Sequence, residues 1–185
     1  MGPTTVQAEI LDVKTLDGYA DVVQDEVDRL VEAWRRERPE LDVTPMEVLS
    51  RVTRLARHLD RARRQAFAAQ DLESWEFDVL SALRRSGEPY RLSPGRLLRE
   101  TMVTSGTMTN RIDRMAARGL VARLPDPSDR RGVQVQLTAS GRLAVDAALD
   151  RLLMRERDLL DGLPQAEQRR LSDMLRVLVI PFDDA

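Results

Sequence analysis

Side chains able to bind phosphate or the edges of bases are concentrated in one stretch of the chain, residues 104–137. They are Asn110, Arg111, Arg114, Arg118, Arg130 and Arg131. A guanidinium group binds two oxygens at once and pairs with guanine, while an amide pairs with adenine. The chemistry that this stretch offers is therefore recognition by hydrogen bonds and charge, and the elements around it must hold these groups in place.

The first part of the stretch, residues 105–118, has the pattern of an amphipathic helix. Its apolar side chains recur at i, i+4, i+7 and i+8, which places them on one helical face. They are Met108, Ile112, Met115 and Ala116. Gly119 follows them and supplies the left-handed cap that ends such a helix.

The second part of the stretch has the pattern of a β-hairpin. Apolar residues from Val133 to Leu137 alternate with glutamines, which is typical of a strand with one buried face. This strand is predicted to pair with residues 120–124 across a turn at residues 125–132, which places the two adjacent arginines at the tip. A helix followed by such a hairpin is the outline of a winged helix-turn-helix.

Charge is distributed unevenly along the chain, although the formal net charge is only −2. Residues 91–131 hold 9 Arg and 4 acidic residues, a local charge of +5, so the remainder of the chain carries −7. Attraction to phosphate depends on the local patch more than on the total charge. The acidic balance of the whole chain therefore does not exclude a nucleic-acid partner.

Helical periodicity covers most of the remaining chain. The predicted helices are residues 17–38, 44–70, 72–86, 93–101, 138–161 and 164–180. A capping box at residues 44–47 begins the second of these helices, and Pro181 stops the last one. The short helix 93–101 and the helix 105–118 are too close in sequence to avoid packing together, so they form the helix-turn-helix pair.

The predicted fold class is mainly α with a small antiparallel β-wing. Residues 1–16 are interpreted as a mobile lead-in, 17–70 as N-terminal helices, 71–138 as the winged helix-turn-helix lobe and 139–185 as C-terminal helices. The terminal helices, including the extra helix 17–38, carry more apolar surface than a small winged-helix core can cover. A symmetric dimer formed through the N- and C-terminal helices is therefore expected.

Composition argues against several other classes of protein. No apolar run approaches the roughly 20 residues of a membrane span and no leader begins the chain, which favours a cytoplasmic location. The chain has no cysteine and one histidine, His58, so no metal site and no cofactor are expected. No hydrolase, phosphate-loop or dinucleotide-binding motif occurs, so the chain is not expected to be an enzyme.

The stretch resembles the MarR (multiple antibiotic resistance regulator) family. Three motifs carry the resemblance in order: Asn110, Arg111, Ile112 and Arg114, then Gly119, Leu120 and Val121, then Asp126, Asp129, Arg130, Arg131 and Gly132. The similarity continues through the flanking helices over about residues 46–180. It implies a transcription regulator that binds double-stranded DNA as a homodimer, and it favours repression.

On this resemblance, the helix 105–118 enters the major groove of a pseudo-palindromic site, with the two helices of the dimer about 34 Å apart. Contacts to base edges and phosphates are expected from Ser105, Thr107, Thr109, Asn110, Arg111 and Arg114. Arg130 and Arg131 are expected at the minor groove, where Asp129 orients one of them.

An alternative is a winged-helix interaction module that reads no DNA sequence. In that interpretation Arg111 and Arg114 pair with neighbouring acids such as Asp113 and Glu100, and they only make the helix soluble. The two arginines at the tip of the hairpin favour DNA binding, because a ribbon tip has no core that would need them.

A finer resemblance concerns Trp34, Asp78 and Arg123. These residues are similar to those that the urate-responsive branch of the MarR family uses to couple a small anion to release of DNA. The implied effector is a small organic anion, either a tricarboxylate such as trans-aconitate or citrate, or urate. The ordinary interpretation stays open for each residue: Trp34 packs between helices, Asp78 is an exposed helix acid and Arg123 is a strand charge.

Overall fold

The computed structural model describes residues 24–101, 104–127 and 129–183. In these ranges the chain forms α1 (Glu26–Glu37), α2 (Thr44–Ala68), α3 (Ser74–Arg85), β1 (Arg91–Leu92), α4 (Pro94–Thr101), α5 (Ser105–Ala117), β2 (Val121–Asp126), β3 (Asp129–Leu137), α6 (Ala139–Leu160) and α7 (Gln165–Asp183). The prediction of a mainly helical fold with a small antiparallel sheet is confirmed. Among the described helices, none is both long and apolar enough to cross a membrane. The predicted lead-in, residues 1–16, lies outside the described residues.

The chain divides into two compact units. The terminal unit contains the described residues 24–55 and 156–183, and the central unit contains residues 56–155. The predicted domain limits at residues 70 and 138 stay a prediction.

In the terminal unit, α1 begins at Glu26 and not within a longer helix from residue 17. The carboxylate of Asp25 accepts hydrogen bonds from the backbone N–H groups of Val27 and Asp28, so Asp25 caps the helix. The predicted helix 17–38 is therefore too long at its start, and residues 17–23 lie outside the described part of the chain. The buried face of α1, at Val27 and Val31, packs with Val43 into a small core.

Two other predictions for the terminal unit are wrong. The capping box at residues 44–47 is not formed, because Asp42 accepts the Thr44 N–H at 3.0 Å and the Glu47 carboxylate pairs with Arg35. Pro181 lies inside α7 and does not stop it. A proline removes one backbone donor, and Pro181 stands so near the described end of α7 that the hydrogen bond it removes is one of the last in the described helix.

In the central unit, α4 and α5 form the helix-turn-helix pair. Helix α4 follows Ser93, whose hydroxyl accepts the Arg96 N–H, as predicted for a capping serine. Helix α5 buries Met108, Ile112 and Met115 almost completely in the main core. Gly119 adopts φ +70° after this helix and so confirms the predicted cap.

The sheet has three strands in the order β1-β3-β2, all antiparallel. The predicted turn at residues 125–132 is wrong, because β2 and β3 stay paired as far as Asp126 and Asp129. The side-chain amide of Gln134 also donates a hydrogen bond to Asp126 near this end. The third strand, β1, was not predicted: its Leu92 pairs with the fully buried Val135 of β3.

Helix α6 begins where the sequence predicts. The hydroxyl of Thr138 accepts the Gly141 N–H at 3.0 Å and so caps the helix. Gly141 lies against the backbone of Leu120, where a Cβ atom would stand 2.0 Å from the carbonyl oxygen. The first turn of α6 is therefore in close contact with the backbone of Leu120, the residue that follows the Gly119 cap of α5.

Candidate nucleic-acid interface

Helix α5 has one face in the core and an opposite face that is polar and exposed. The exposed residues of this outer face are Gly106, Thr107, Thr109, Asn110 and Asp113. The hydroxyl groups of Thr104 and Thr107 lie 2.9 Å apart, which orders the start of the helix. The side chain of Ser105, also predicted to contact DNA, lies outside the described part of the structure.

Between these faces, α5 presents three arginines to the first turn of α3. The guanidinium carbons of Arg111 and Arg114 lie 5.2 and 4.8 Å from the centre of the Trp75 ring. Both distances fall within the cation–π range of about 6 Å. No pattern in the sequence predicted this contact, because its partners stand far apart along the chain.

Glu73 completes this cluster. Its carboxylate accepts hydrogen bonds from the Trp75 indole N–H and from the Arg114 guanidinium, both at 2.6 Å. The hydrogen bond from the indole N–H is the largest of the causes that hold the pKa of Glu73 below its usual value. Burial opposes it, and the hydrogen bond and charge of Arg114 add to the lowering. Glu73 is therefore a carboxylate that stays charged and keeps Arg114 beside the tryptophan.

The third arginine, Arg118, joins the end of α5 to the loop between α2 and α3. It contacts the carboxylate of Glu76 at 2.5 Å and that of Asp71 at 2.6 Å. The Glu76 side chain is 0% exposed, and it also accepts the Glu73 backbone N–H. The charged pair raises the pKa of Arg118, with the Glu76 hydrogen bond as the largest cause. This pair fixes the end of α5 against α3.

The pairings that the interaction-module alternative required are not formed. Asp113 pairs with Arg123 at 2.7 Å, and Glu100 lies within ion-pair distance of Arg85 and Arg96. Arg111 and Arg114 are held by the first turn of α3 instead.

The arginines that were predicted at the tip of the wing lie next to the turn between β2 and β3. Arg130 and Arg131 belong to β3 close to the turn, but their side chains and that of Asp129 lie outside the described residues. Arg123 stands on β2, and its ion pair with Asp113 joins the hairpin to the outer face of α5. The contact of Arg130 and Arg131 with DNA stays a prediction.

The three predicted ligand residues have separate surroundings. Trp34 stands on α1 in the terminal unit and is 44% exposed. Asp78 stands on α3 in the central unit, 3.8 Å from Arg63, whereas Arg123 pairs with Asp113. The structure thus gives Asp78 and Arg123 different ion-pair partners, and their role in ligand binding stays a prediction.

This helix-turn-helix and hairpin match a known family. A sequence profile of the MarR family matches residues 70–132. The chain is also similar to the HTH-type transcriptional regulator PecS of Dickeya dadantii, with 37% identity over 150 residues that cover 81% of this chain and 90% of that protein. The chain belongs to the MarR family. The urate-responsive branch within that family stays a prediction.

Other known proteins are similar to this chain in fold or in sequence. MarR of Escherichia coli in complex with operator DNA has a TM-score of 0.61 and 25% identity, covering 75% of this chain and 99% of that chain. BpsR of Bordetella bronchiseptica, whose DNA binding is regulated by 6-hydroxynicotinic acid, has a TM-score of 0.58 and 29% identity, covering 71% and 91%. The transcriptional repressor NicR of Pseudomonas putida is 37% identical over 113 residues, which are 59% of this chain and 70% of that protein. The predicted winged helix-turn-helix fold is confirmed.

Proposed function

We propose that this MarR-family chain is a DNA-binding transcription regulator that represses its target genes as a homodimer. The observation that carries the proposal is the exposed polar face of α5. The helix is held in place by its buried apolar face and by the arginines that contact the first turn of α3. The likeness to MarR bound to operator DNA supports the same use of this face. Since its partner is the chromosome, we place its action in the cytoplasm.

In this proposal α5 enters the major groove and the hairpin lies at the adjacent minor groove. The residues that contact DNA are Ser105, Thr107, Thr109, Asn110, Arg111, Arg114, Arg130 and Arg131. Asparagine and arginine discriminate bases through paired hydrogen bonds, whereas threonine and serine hydroxyls bind phosphates or bases. The local charge of +5 over residues 91–131 favours the approach of these groups to the phosphate backbone.

The proposed dimer is supported by the apolar surface of the terminal unit. Large apolar side chains of α1 and α7 are exposed in the single chain, among them Leu30, Val177, Ile180 and Phe182. Large apolar side chains that are exposed together on two helices of one unit favour self-association. A two-fold dimer places two copies of α5 about 34 Å apart, which matches half-sites one helical turn apart.

Fluorescence anisotropy with labelled duplexes tests the function. One duplex comes from the region upstream of the chain's own gene, and the other is a shuffled duplex of equal length. We expect tight binding to the first, and Arg111→Ala should weaken it by about 1–3 kcal/mol. Arg151→Ala, which removes an exposed arginine of α6, is the control and should leave binding unchanged. Equal affinity for both duplexes would favour the interaction-module alternative.

We also propose that a small organic anion, such as trans-aconitate, citrate or urate, releases the chain from DNA. Arg123 is the expected anion partner, because a guanidinium binds two carboxylate oxygens. Its present partner is Asp113 of α5 at 2.7 Å, so an anion must compete with this acid for the Arg123 guanidinium. An anion of this class, 6-hydroxynicotinic acid, regulates the relative BpsR.

The ligand proposal is tested by titration with each anion. The chain has two tryptophans, so Trp75→Phe leaves Trp34 as the reporter of anion binding by fluorescence. We expect quenching of Trp34 emission in that variant and weaker DNA binding of the unmodified chain. Arg123→Ala should abolish both responses while DNA affinity stays within a few-fold, and Asp78→Ala should alter them. Null results with all three anions, together with intact DNA binding, would leave Arg123 as a strand charge.

A further inference from the structure

The first turn of α3 contacts the recognition helix at the arginines that the proposed function places on DNA. We propose that Glu73 and Trp75, here called the α3 platform, are positioning residues that set how specifically the chain reads DNA. This inference rests on the proposed DNA binding and extends it to residues outside the DNA-contacting set.

The platform holds two cations with one ring. Arg111 and Arg114 are three residues apart on α5, so their side chains lie one above the other on the same side of the helix. Their guanidinium carbons are 5.2 and 4.8 Å from the centre of the half-buried Trp75 ring. An arginine that stacks by its flat face keeps its N–H donors, which lie in the plane of the group, free for other acceptors. Stacking therefore restricts these side chains without using the donors that DNA would need.

The two arginines differ in their second contact. Arg114 is bound to the Glu73 carboxylate at 2.6 Å, so phosphate must compete with an acid for it. Arg111 has no carboxylate partner in the part of the chain that the structure describes. We infer that Arg111 makes the discriminating contact, whereas Glu73 competes for Arg114 and so weakens its binding to the phosphates of unrelated DNA sequences.

The platform is itself fixed to the recognition helix. The buried Glu76 accepts the Glu73 backbone N–H and binds Arg118 at the end of α5. The ring of Trp75 and the arginines therefore keep one relative placement before DNA arrives. Side chains that are ordered before binding lose less conformational entropy when DNA binds. Only a DNA sequence that fits their fixed positions benefits from this smaller loss.

The test compares the affinity for the upstream duplex with that for the shuffled duplex, and the readout is the ratio of the two. Trp75→Leu removes the ring, and we expect the ratio to fall by about 5- to 30-fold, as the loss of two exposed cation–π contacts implies. Trp75→Phe keeps a ring face and should recover most of the ratio. A purely structural role would lower both affinities together and leave the ratio unchanged.

Tyr90→Leu is the matched control. Arg84 stacks on Tyr90 at 5.0 Å, and neither residue belongs to α5 or to the α3 platform, so this change removes the same kind of contact and should not alter the ratio. Thermal unfolding of each variant confirms that it is folded.

Glu73→Gln provides a second test that does not depend on the ring. The glutamine oxygen still accepts the indole N–H, but the charge that holds Arg114 is lost. We expect affinity for the shuffled duplex to rise and the ratio to fall.

The possible failures are distinguishable. If the unmodified chain prefers the upstream duplex, and folded Trp75→Leu and Glu73→Gln keep its ratio, the platform proposal is overturned and the DNA proposal stands. If the unmodified chain shows no preference for any duplex, both proposals are overturned.

Discussion

One guanidinium, that of Arg118, binds two carboxylates of opposite exposure, and this arrangement makes a quantitative prediction. Glu76 is 0% exposed and Asp71 is 97% exposed, although Arg118 contacts them at similar distances of 2.5 and 2.6 Å. An exposed ion pair contributes about 0–1 kcal/mol, because water screens it and solvates both ions when it breaks. When a buried carboxylate loses its partner, water does not solvate the charge that remains.

The perturbation is a set of three substitutions. Asp71→Asn should cost at most about 1 kcal/mol of unfolding free energy, and asparagine tolerates the positive φ of this position. Glu76→Gln keeps the acceptor for the Glu73 N–H but loses the charge, so we expect a cost of about 1–3 kcal/mol. Arg118→Ala leaves a buried carboxylate unpaired, and we expect about 3 kcal/mol, the lower end of the usual range because Arg118 is 35% exposed.

The assay is urea unfolding followed by circular dichroism, at one fixed chain concentration because a dimer's stability depends on it. The predicted order of cost is Arg118→Ala, then Glu76→Gln, then Asp71→Asn. Equal costs for the two amide substitutions would refute the reasoning, since the two distances are alike and only burial separates the two acids.

Four further predictions follow from single positions. Gly141→Ala should destabilise the chain by about 1–3 kcal/mol in the same assay, because its Cβ would stand 2.0 Å from the Leu120 carbonyl oxygen. Gly106→Ala should stabilise the chain by up to about 1 kcal/mol, because a Cβ atom at this helical position has no neighbour within 4 Å. Arg131→Ala should weaken DNA binding by about 1–3 kcal/mol, and unchanged affinity at 0.1–0.2 M salt, roughly the physiological range, would exclude the wing as a contact. The pKa of Asp25 is lowered from 3.8, mainly by a hydrogen bond from an arginine of α2. Asp25 therefore stabilises α1 fully above pH 3.8, and this stabilisation is lost as pH falls through the lowered pKa. NMR titration of this carboxyl group should give a midpoint below 3.8, and a midpoint above it would contradict the pairing.

Local patterns predicted the elements that depend on neighbouring residues. Ser93 and Thr138 cap α4 and α6 as expected, and Gly119 ends α5 in the left-handed conformation. The buried stripe of α5 also matches its periodicity, because a helix next to a core buries whichever face is apolar. These signals are short in range, so one sequence is enough to interpret them.

Contacts between distant parts of the chain were not predicted. Strand β1 has only two residues, too few for an alternating pattern, and it exists because β3 offers it a partner. The hydrogen bonds of Glu73 with Arg114 and of Glu76 with Arg118 join residues 41 and 42 positions apart, and no periodicity indicates a contact over such a separation. The interaction-module alternative likewise considered only acids near Arg114 in the sequence, such as Asp113 and Glu100, whereas the observed partner, Glu73, is 41 positions away.

Selection from a library of random duplexes tests the central claim most directly. Purified chain is mixed with the library, bound duplexes are recovered, and their sequences are determined after several rounds at fixed salt. The proposal predicts enrichment of one pseudo-palindrome whose half-sites are about one helical turn apart, and loss of that enrichment with Arg111→Ala. Recovery of duplexes with no common sequence, or of single half-sites alone, would contradict a homodimer that reads DNA through two copies of α5.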